Sequence, residues 1–362
     1  MTTSIRGICG SGASVAAVAA LLWMLPAPTA GAAEDAWASP PAAPGGQIVL
    51  RVVSVEDEEG DPTAAGKAAA GALVEAMGGT PLLAVVVSEC FEDREYKEKL
   101  LAGLTSVLPE KLIVGGATYG SFTQAGCSDF DSVCLLGIGG EGVSVAAALV
   151  TGLGTSKLTF EEHQELIQTR LRTAGAALVR KLRRSDRDRL LILIADAHSP
   201  KNASLVEGVQ EVVGKRFPIT GGSVNKNAGQ TFVYFAGRIY EDSAAALMLS
   251  GDFSVSLAGR MAKDNEAVIR TAGEAAREAM AAAKGKPLAV LAFNCAGRKG
   301  KLDNIEDELA AIRAALGTSE LPVFGCYCAG EVGPLDASEK QGDALAGGSG
   351  WHVMFTVIGV GK

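Results

Sequence analysis

Aromatic side chains are scarce in this sequence, with Phe, Trp and Tyr together making up 5% of its 362 residues. A hydrophobic core must therefore be assembled mainly from Ala, Val, Leu and Ile. Basic charge is also short: 33 Lys and Arg stand against 41 Asp and Glu, a net charge of −8. That balance argues against a nucleic-acid or anionic-membrane partner, since both select for basic surfaces. The one basic run, Arg180 to Arg189, is interrupted by Asp186 and Asp188 and reads as the solvated end of a helix. Histidine occurs three times, at His163, His198 and His352. Several catalytic signatures are missing: the Gly-x-Ser-x-Gly elbow, His-Glu-x-x-His, the phosphate-binding Gly-x-x-x-x-Gly-Lys-Ser/Thr, and Cys-x-x-Cys. The acidic stretch Glu56 to Asp61 lacks the ligand spacing of a calcium loop and reads as a solvated strand-to-helix turn.

A long apolar run is missing as well. Val15 to Leu25 is apolar for eleven residues and is stopped by Pro26 and Pro28. A bilayer span needs about 20 residues. With Arg6 before it and the small residues Ala30-Gly31-Ala32 after it, the stretch reads as an export signal covering residues 1–32. The expectation is an exported, periplasmic or extracellular protein with no membrane span after cleavage. Residues 33–46 (AEDAWASPPAAPGG from Ala33) form an Ala/Pro-rich leader without periodicity, expected to be mobile. Beyond the signal stand six cysteines: Cys90, Cys127, Cys134, Cys295, Cys326 and Cys328. In an oxidising compartment they permit up to three disulfides, and spacing selects none of the pairings over buried free thiols.

What is abundant is repetition. Three apolar runs, Pro81 to Ser88, Arg189 to Ala195 and Pro287 to Phe293, each follow a helical stretch. Each leads through a second helical stretch to a short apolar run ending in glycine: Ile113-Val114-Gly115-Gly116, Ile219-Thr220-Gly221-Gly222, and Val323-Phe324-Gly325. Strands of five to eight residues alternating with helices of ten or more indicate α/β units. The pattern predicts a multi-layer α/β protein with mixed sheets, built from three similar β-α-β-β units. The later strands are expected to pair antiparallel, Val133–Gly137 with Val143–Val150 and Thr231–Ala236 with Ala244–Leu249.

Near the C-terminus, Phe293-Asn294-Cys295-Ala296-Gly297-Arg298 is followed by Phe324-Gly325-Cys326-Tyr327-Cys328-Ala329-Gly330-Glu331-Val332-Gly333-Pro334. This pair resembles the closing signature of FIST domains, and Ile113 to Gly120 resembles the glycine loop of the family's N-terminal half. The resemblance implies an N-terminal domain over 47–258 and a shortened C-terminal domain over 259–362. It further implies a stand-alone, non-catalytic sensory module for a small ligand, an amino acid among the candidates, whose signal leaves through a partner protein. Some family members are haem-binding sensors. Here His198 or His352 would have to ligate a haem, and the shortage of aromatic residues argues against a large haem pocket; no cofactor is expected.

The candidate ligand site lies at the glycine-rich strand ends, where ligands of open α/β sheets gather. Arg298 could hold a carboxylate and Glu331 an ammonium, with Gly325 admitting close backbone approach and Tyr327 forming a wall. The alternative is that Arg298 and Glu331 pair with each other. A different function class, a thiol-based enzyme or redox protein using Cys295, Cys326 or Cys328, stays open.

Overall fold

A computed structural model describes residues 35–227, 230–340 and 342–361. The expected export signal lies outside the described residues. The leader strand β1 (Ala36–Ala38) comes first. The first unit runs β2 (Val49–Glu56), α1 (Pro62–Ala76), β3 (Leu82–Glu89), α2 (Arg94–Thr105), β4 (Ile113–Ala117), the short β5 (Ser121–Phe122) and β6 (Cys127–Ser128), then β7 (Ser132–Gly139). In the second unit the order is β8 (Val143–Thr151), α3 (Phe160–Lys181), β9 (Asp188–Ala195), α4 (Asn202–Val213) and β10 (Ile219–Ser223). Short strands β11 (Lys226–Asn227), β12 (Gln230–Thr231), β13 (Val233–Phe235) and β14 (Arg238–Tyr240) then precede β15 (Ser243–Gly251). The third unit comprises β16 (Ser254–Met261), α5 (Asn265–Ala282), β17 (Lys286–Cys295), α6 (Ala296–Lys299), α7 (Ile305–Leu316), β18 (Val323–Cys328), β19 (Glu331–Gly333), β20 (Gly347–Ser349) and β21 (His352–Val360).

The three units share one topology. Their strands lie in the orders β2-β7-β3-β4, β8-β15-β9-β10 and β16-β21-β17-β18. Counted in chain order, the second and third strands of each are parallel, while the last strand runs antiparallel between the first and second. The expected repeat is therefore present, with the helix read before each apolar run, and is enlarged by a first strand in every unit. Each unit also lends short strands to a neighbour. β13 and β14 extend the first sheet beyond β4, β19 and β20 extend the second beyond β10, and β5 and β6 extend the third beyond β18. This cyclic exchange gives the molecule approximate threefold organisation.

Two expected pairings are corrected. The strand β7 pairs with β2 and β3, not with β8, because Gly140 at φ +96° and its neighbours carry the chain into another sheet. Likewise β13 is lent to β4 of the first sheet, and β15 pairs instead with β8 and β9. The leader also differs from expectation. Ala36, Trp37 and Ala38 pair antiparallel with Ala148, Ala147 and Ala146, covering what would be an open sheet edge.

Local chemistry explains the elements. Asp61 caps α1 by accepting from the Thr63 and Ala64 amides, with Pro62 in the first turn. The acidic stretch before α1 is thus the strand-to-helix turn read from the sequence, and it supplies the helix cap as well. Asn304 caps α7, whose first turn holds Glu306, Asp307 and Glu308, and Gly317 ends it at φ +71°. The outer face of each sheet packs on its own two long helices. Inner faces of all three sheets meet in a shared core that includes Val86, Ile192, Leu291 and Phe324. Among the described residues, no helix is long and apolar enough to cross a membrane.

Candidate functional site

The strand ends of the three units hold the charged chemistry, and each unit treats its end differently. In the first, Glu89 ends β3 and is buried with Lys97 of α2. Its carboxylate accepts from Lys97 Nζ at 3.0 Å, the Tyr234 hydroxyl at 2.7 Å and the Phe91 amide at 2.8 Å. The third unit has the opposite polarity. Arg298, just beyond β17, is fully buried and donates to Glu308 Oε1 at 3.0 Å, the Val268 carbonyl at 2.8 Å and Thr271 Oγ1 at 3.2 Å. Glu308 also accepts from Asn294 Nδ2 at 3.1 Å and the Tyr327 hydroxyl at 3.0 Å. Burial and the adjoining carboxylates push both tyrosine hydroxyls well above their ordinary pKa. Each cluster pairs its buried charges with one another, although the Arg298 Nε has no hydrogen-bond partner among the described residues.

Of the four residues singled out in sequence, the structure thus joins Arg298 and Tyr327, through Glu308. Glu331 stands apart. Its Oε2 accepts from the His352 amide at 3.0 Å, it lies beside the Cys295 thiol, and its Oε1 has no hydrogen-bond partner among the described residues. Burial pushes its pKa up to about 8. Arg298 and Glu331 therefore do not pair with each other. Gly325 is packed under the Phe122 ring, which occupies the space of a Cβ. All four residues are buried.

Glu308 escaped the sequence reading, although a signal existed. It lies on the same helix face as Ile305, Leu309 and Ile312, where a charge needs a buried partner.

The second strand end is built otherwise. Where Glu89 and Asn294 stand in their sheets, β9 has Ala195, aligned by the same pairing with its neighbours. This end has neither a Glu89–Lys97 nor an Arg298–Glu308 type of closed buried pair among the described residues. Instead Asp196, His198 and Lys201 follow the strand and line an open cleft of about 580 Å³ with Thr155, Thr231 and Asp242. Asp196 is 6% exposed and accepts from Thr231 Oγ1 at 2.5 Å. His198 Nε2 stands 4.0 Å from Asp196 Oδ1. Lys201 Nζ donates to the Thr155 carbonyl at 2.7 Å. Asp242 shapes the facing turn, accepting from the Gly154 amide at 2.8 Å and Ser156 Oγ at 2.9 Å. The Thr155 hydroxyl is buried and has no hydrogen-bond partner among the described residues. Only His198 of this set drew notice in the sequence. The polar cluster Asp196 to Asn202 directly after a continuous apolar strand was the available signal.

Two family models match this chain: FIST N domain over residues 81–260 and FIST C domain over 223–334. The chain belongs to the FIST family. FIST domains are sensory domains, and this FIST chain carries the signature residues Cys295 to Arg298 and Gly330 to Pro334 inside its third unit. No curated protein matches the sequence. Among solved structures, the FIST chain is similar to cyanuric acid hydrolase from A. caulinodans, at 12% identity and a TM-score of 0.46, over 87% of this chain and 100% of the other. A second cyanuric acid hydrolase structure, described as an evolutionary innovation by structural concatenation, matches at 13% identity and a TM-score of 0.43, over 86% and 99%. T. maritima PurL complexed with ATP matches at 10% identity and a TM-score of 0.27, over 87% and 72%.

Proposed function

We propose that this FIST chain is a non-catalytic sensory protein that binds a small zwitterion, such as an amino acid, in the second-unit cleft. The signal would pass to a partner protein. The observation that carries the reading is the cleft itself. It is open, of ligand size, and lined by Lys201 and Lys157 for a carboxylate and by Asp196 for an ammonium, and the Thr155 hydroxyl in its lining has no hydrogen-bond partner among the described residues. A non-catalytic role is supported by the state of the nucleophiles. Burial pushes the Cys90 thiol up to about 12 and the Cys295 thiol up to about 11, so neither is a ready thiolate at neutral pH. Export rests on the apolar N-terminal stretch; secreted material is expected to begin near Ala33 by mass spectrometry.

The test is a calorimetric titration of the full chain with a panel of free amino acids, repeated for Asp196→Asn and Lys201→Met. Each substitution should weaken the binding seen by about 1–3 kcal/mol, the scale of a charged hydrogen bond. Binding that both variants retain at full strength would move the ligand site out of this cleft. Absence of heat with every amino acid would remove the ligand class.

A further inference from the structure

The central contact of the three sheets breaks its own threefold pattern in one respect. Facing a small void of about 10 Å³ are Gly116 and Thr118 from the first unit, and Gly222 and Val224 from the second. At the matching places the third unit has Cys326 and Cys328, as the pairing of Ser88 with Gly116, Ile194 with Gly222 and Phe293 with Cys326 shows. Glycine at two of three equivalent positions shows that this packing does not call for sulfur. Residues two apart on a strand point to the same face, and here their Sγ atoms are 3.6 Å apart. Gly222 opposite leaves the space that the Cys328 sulfur fills. All six described cysteines are free thiols, the second of the two alternatives that the sequence left open.

We propose that Cys326 and Cys328 are a redox-modifiable dithiol that closes to an intrastrand disulfide when the chain folds with a small-molecule disulfide present. Before the strand docks both thiols are open to solvent and either can attack first; in one order Cys326 does so. Its thiolate attacks one sulfur of glutathione disulfide, whose S–S bond breaks, and one glutathione leaves with the proton. Cys328 then attacks the Cys326 sulfur of the mixed disulfide and expels the second glutathione, which takes the second proton. Two protein thiols are oxidised and one glutathione disulfide is reduced to two thiols. Each thiol is 2% exposed in the folded chain and the void has no room for glutathione. Exchange therefore belongs to folding, before β18 docks.

Bridging neighbours of an extended strand bends it, and strained disulfides are the reducible kind. The bend would fall on Tyr327, which holds the first unit's loop by backbone bonds to Tyr119 and Gly120 and reaches Glu308. The state of the dithiol would so be felt where two units join.

The experiment refolds the reduced, full-length chain in a glutathione redox buffer, alkylates remaining thiols in denaturant, and maps tryptic peptides. Cleavage after Arg313 and Lys340 gives one peptide carrying both thiols and no other cysteine. That peptide should appear two hydrogens lighter and unalkylated, with the other cysteines alkylated; Cys328→Ser should instead leave Cys326 alkylated or glutathionylated. A refolded chain whose peptide is doubly alkylated, or is linked to Cys134, would overturn the proposal. The Cys326→Ala, Cys328→Ala double variant, compared by circular dichroism, shows whether the refolded state is native.

Discussion

Single residues decide how the third strand end responds to pH and to substitution. Glu331 has a folded pKa near 8, against about 4.3 for a free glutamate. Between those values the unfolded chain has lost this proton and the folded chain keeps it. Stability from this group is therefore whole below about pH 4 and declines as pH rises toward 8, by roughly 1.4 kcal/mol per pH unit. His352, held below its ordinary value by burial, acts in the opposite sense below about pH 6.5. Glu331→Gln removes only the first effect. Urea midpoints for the variant should match the wild type near pH 4 and exceed it by a growing margin toward pH 8; a margin that does not change with pH would show that Glu331 is ionised in the folded chain. Arg298 poses a different question, since it ties the third unit's helices to its strand end through Glu308. Arg298→Ala leaves Glu308 buried without its cation, which should cost about 3–5 kcal/mol. The expected outcome is a large fall in melting temperature with the affinity of the second-unit cleft unchanged. A stable variant with impaired binding would restore Arg298 to the ligand site.

At the scale of elements, the repeat shows itself in the helix pairs. Gly66 of α1 faces Gly103 of α2, and Gly175 of α3 faces Gly208 of α4. A Cβ on any of these four would land on a carbonyl of the partner helix, at Leu100, Thr63, Leu205 or Arg172 respectively. In the third unit Gly273 faces Ala311, whose carbonyl would lie 3.2 Å from the added atom. Gly208→Ala should therefore destabilise by about 1–3 kcal/mol, the scale of overpacking, and Gly273→Ala by much less, because a shift of a few tenths of an ångström relieves it. Thermal unfolding of the two variants side by side makes the comparison; equal losses would mean that the helix spacing adapts freely. The long helices and the three central strands were legible in sequence because continuous apolar runs and helical periodicity are local signals. The first strand of each unit was not identified as such. Val143–Thr151 reads as a strand but offers no sign that it belongs with Ser243–Gly251 across nearly a hundred residues.

The whole molecule is organised by exchange, which local patterning does not encode. Glu331–Gly333 is too short to announce itself, Val233–Phe235 reads as a strand but not whose, and the partners of both are chosen by the packing of three sheets around one core. The same limit applies to the site. Sequence placed Arg298, Tyr327 and Glu331 at a strand end, where they are, but could not show that Glu308 closes around two of them while the second strand end stays open. Exchange also makes a prediction about stability. Each sheet is completed by strands from another unit, so opening any one unit strips paired strands from a second and exposes part of the shared core. Chains of this length commonly unfold in stages. Here the coupling runs around a closed ring, and the three units should open as one. Native-state hydrogen exchange measures this directly. The slowest amides of β3, β9 and β17 should converge on a single opening free energy, and a mutation in one unit, such as Gly208→Ala, should lower all three by the same amount. Three separate values, with only β9 responding to that mutation, would show that the lent strands are adhesive edges between independent units and do not bind them into one cooperative body.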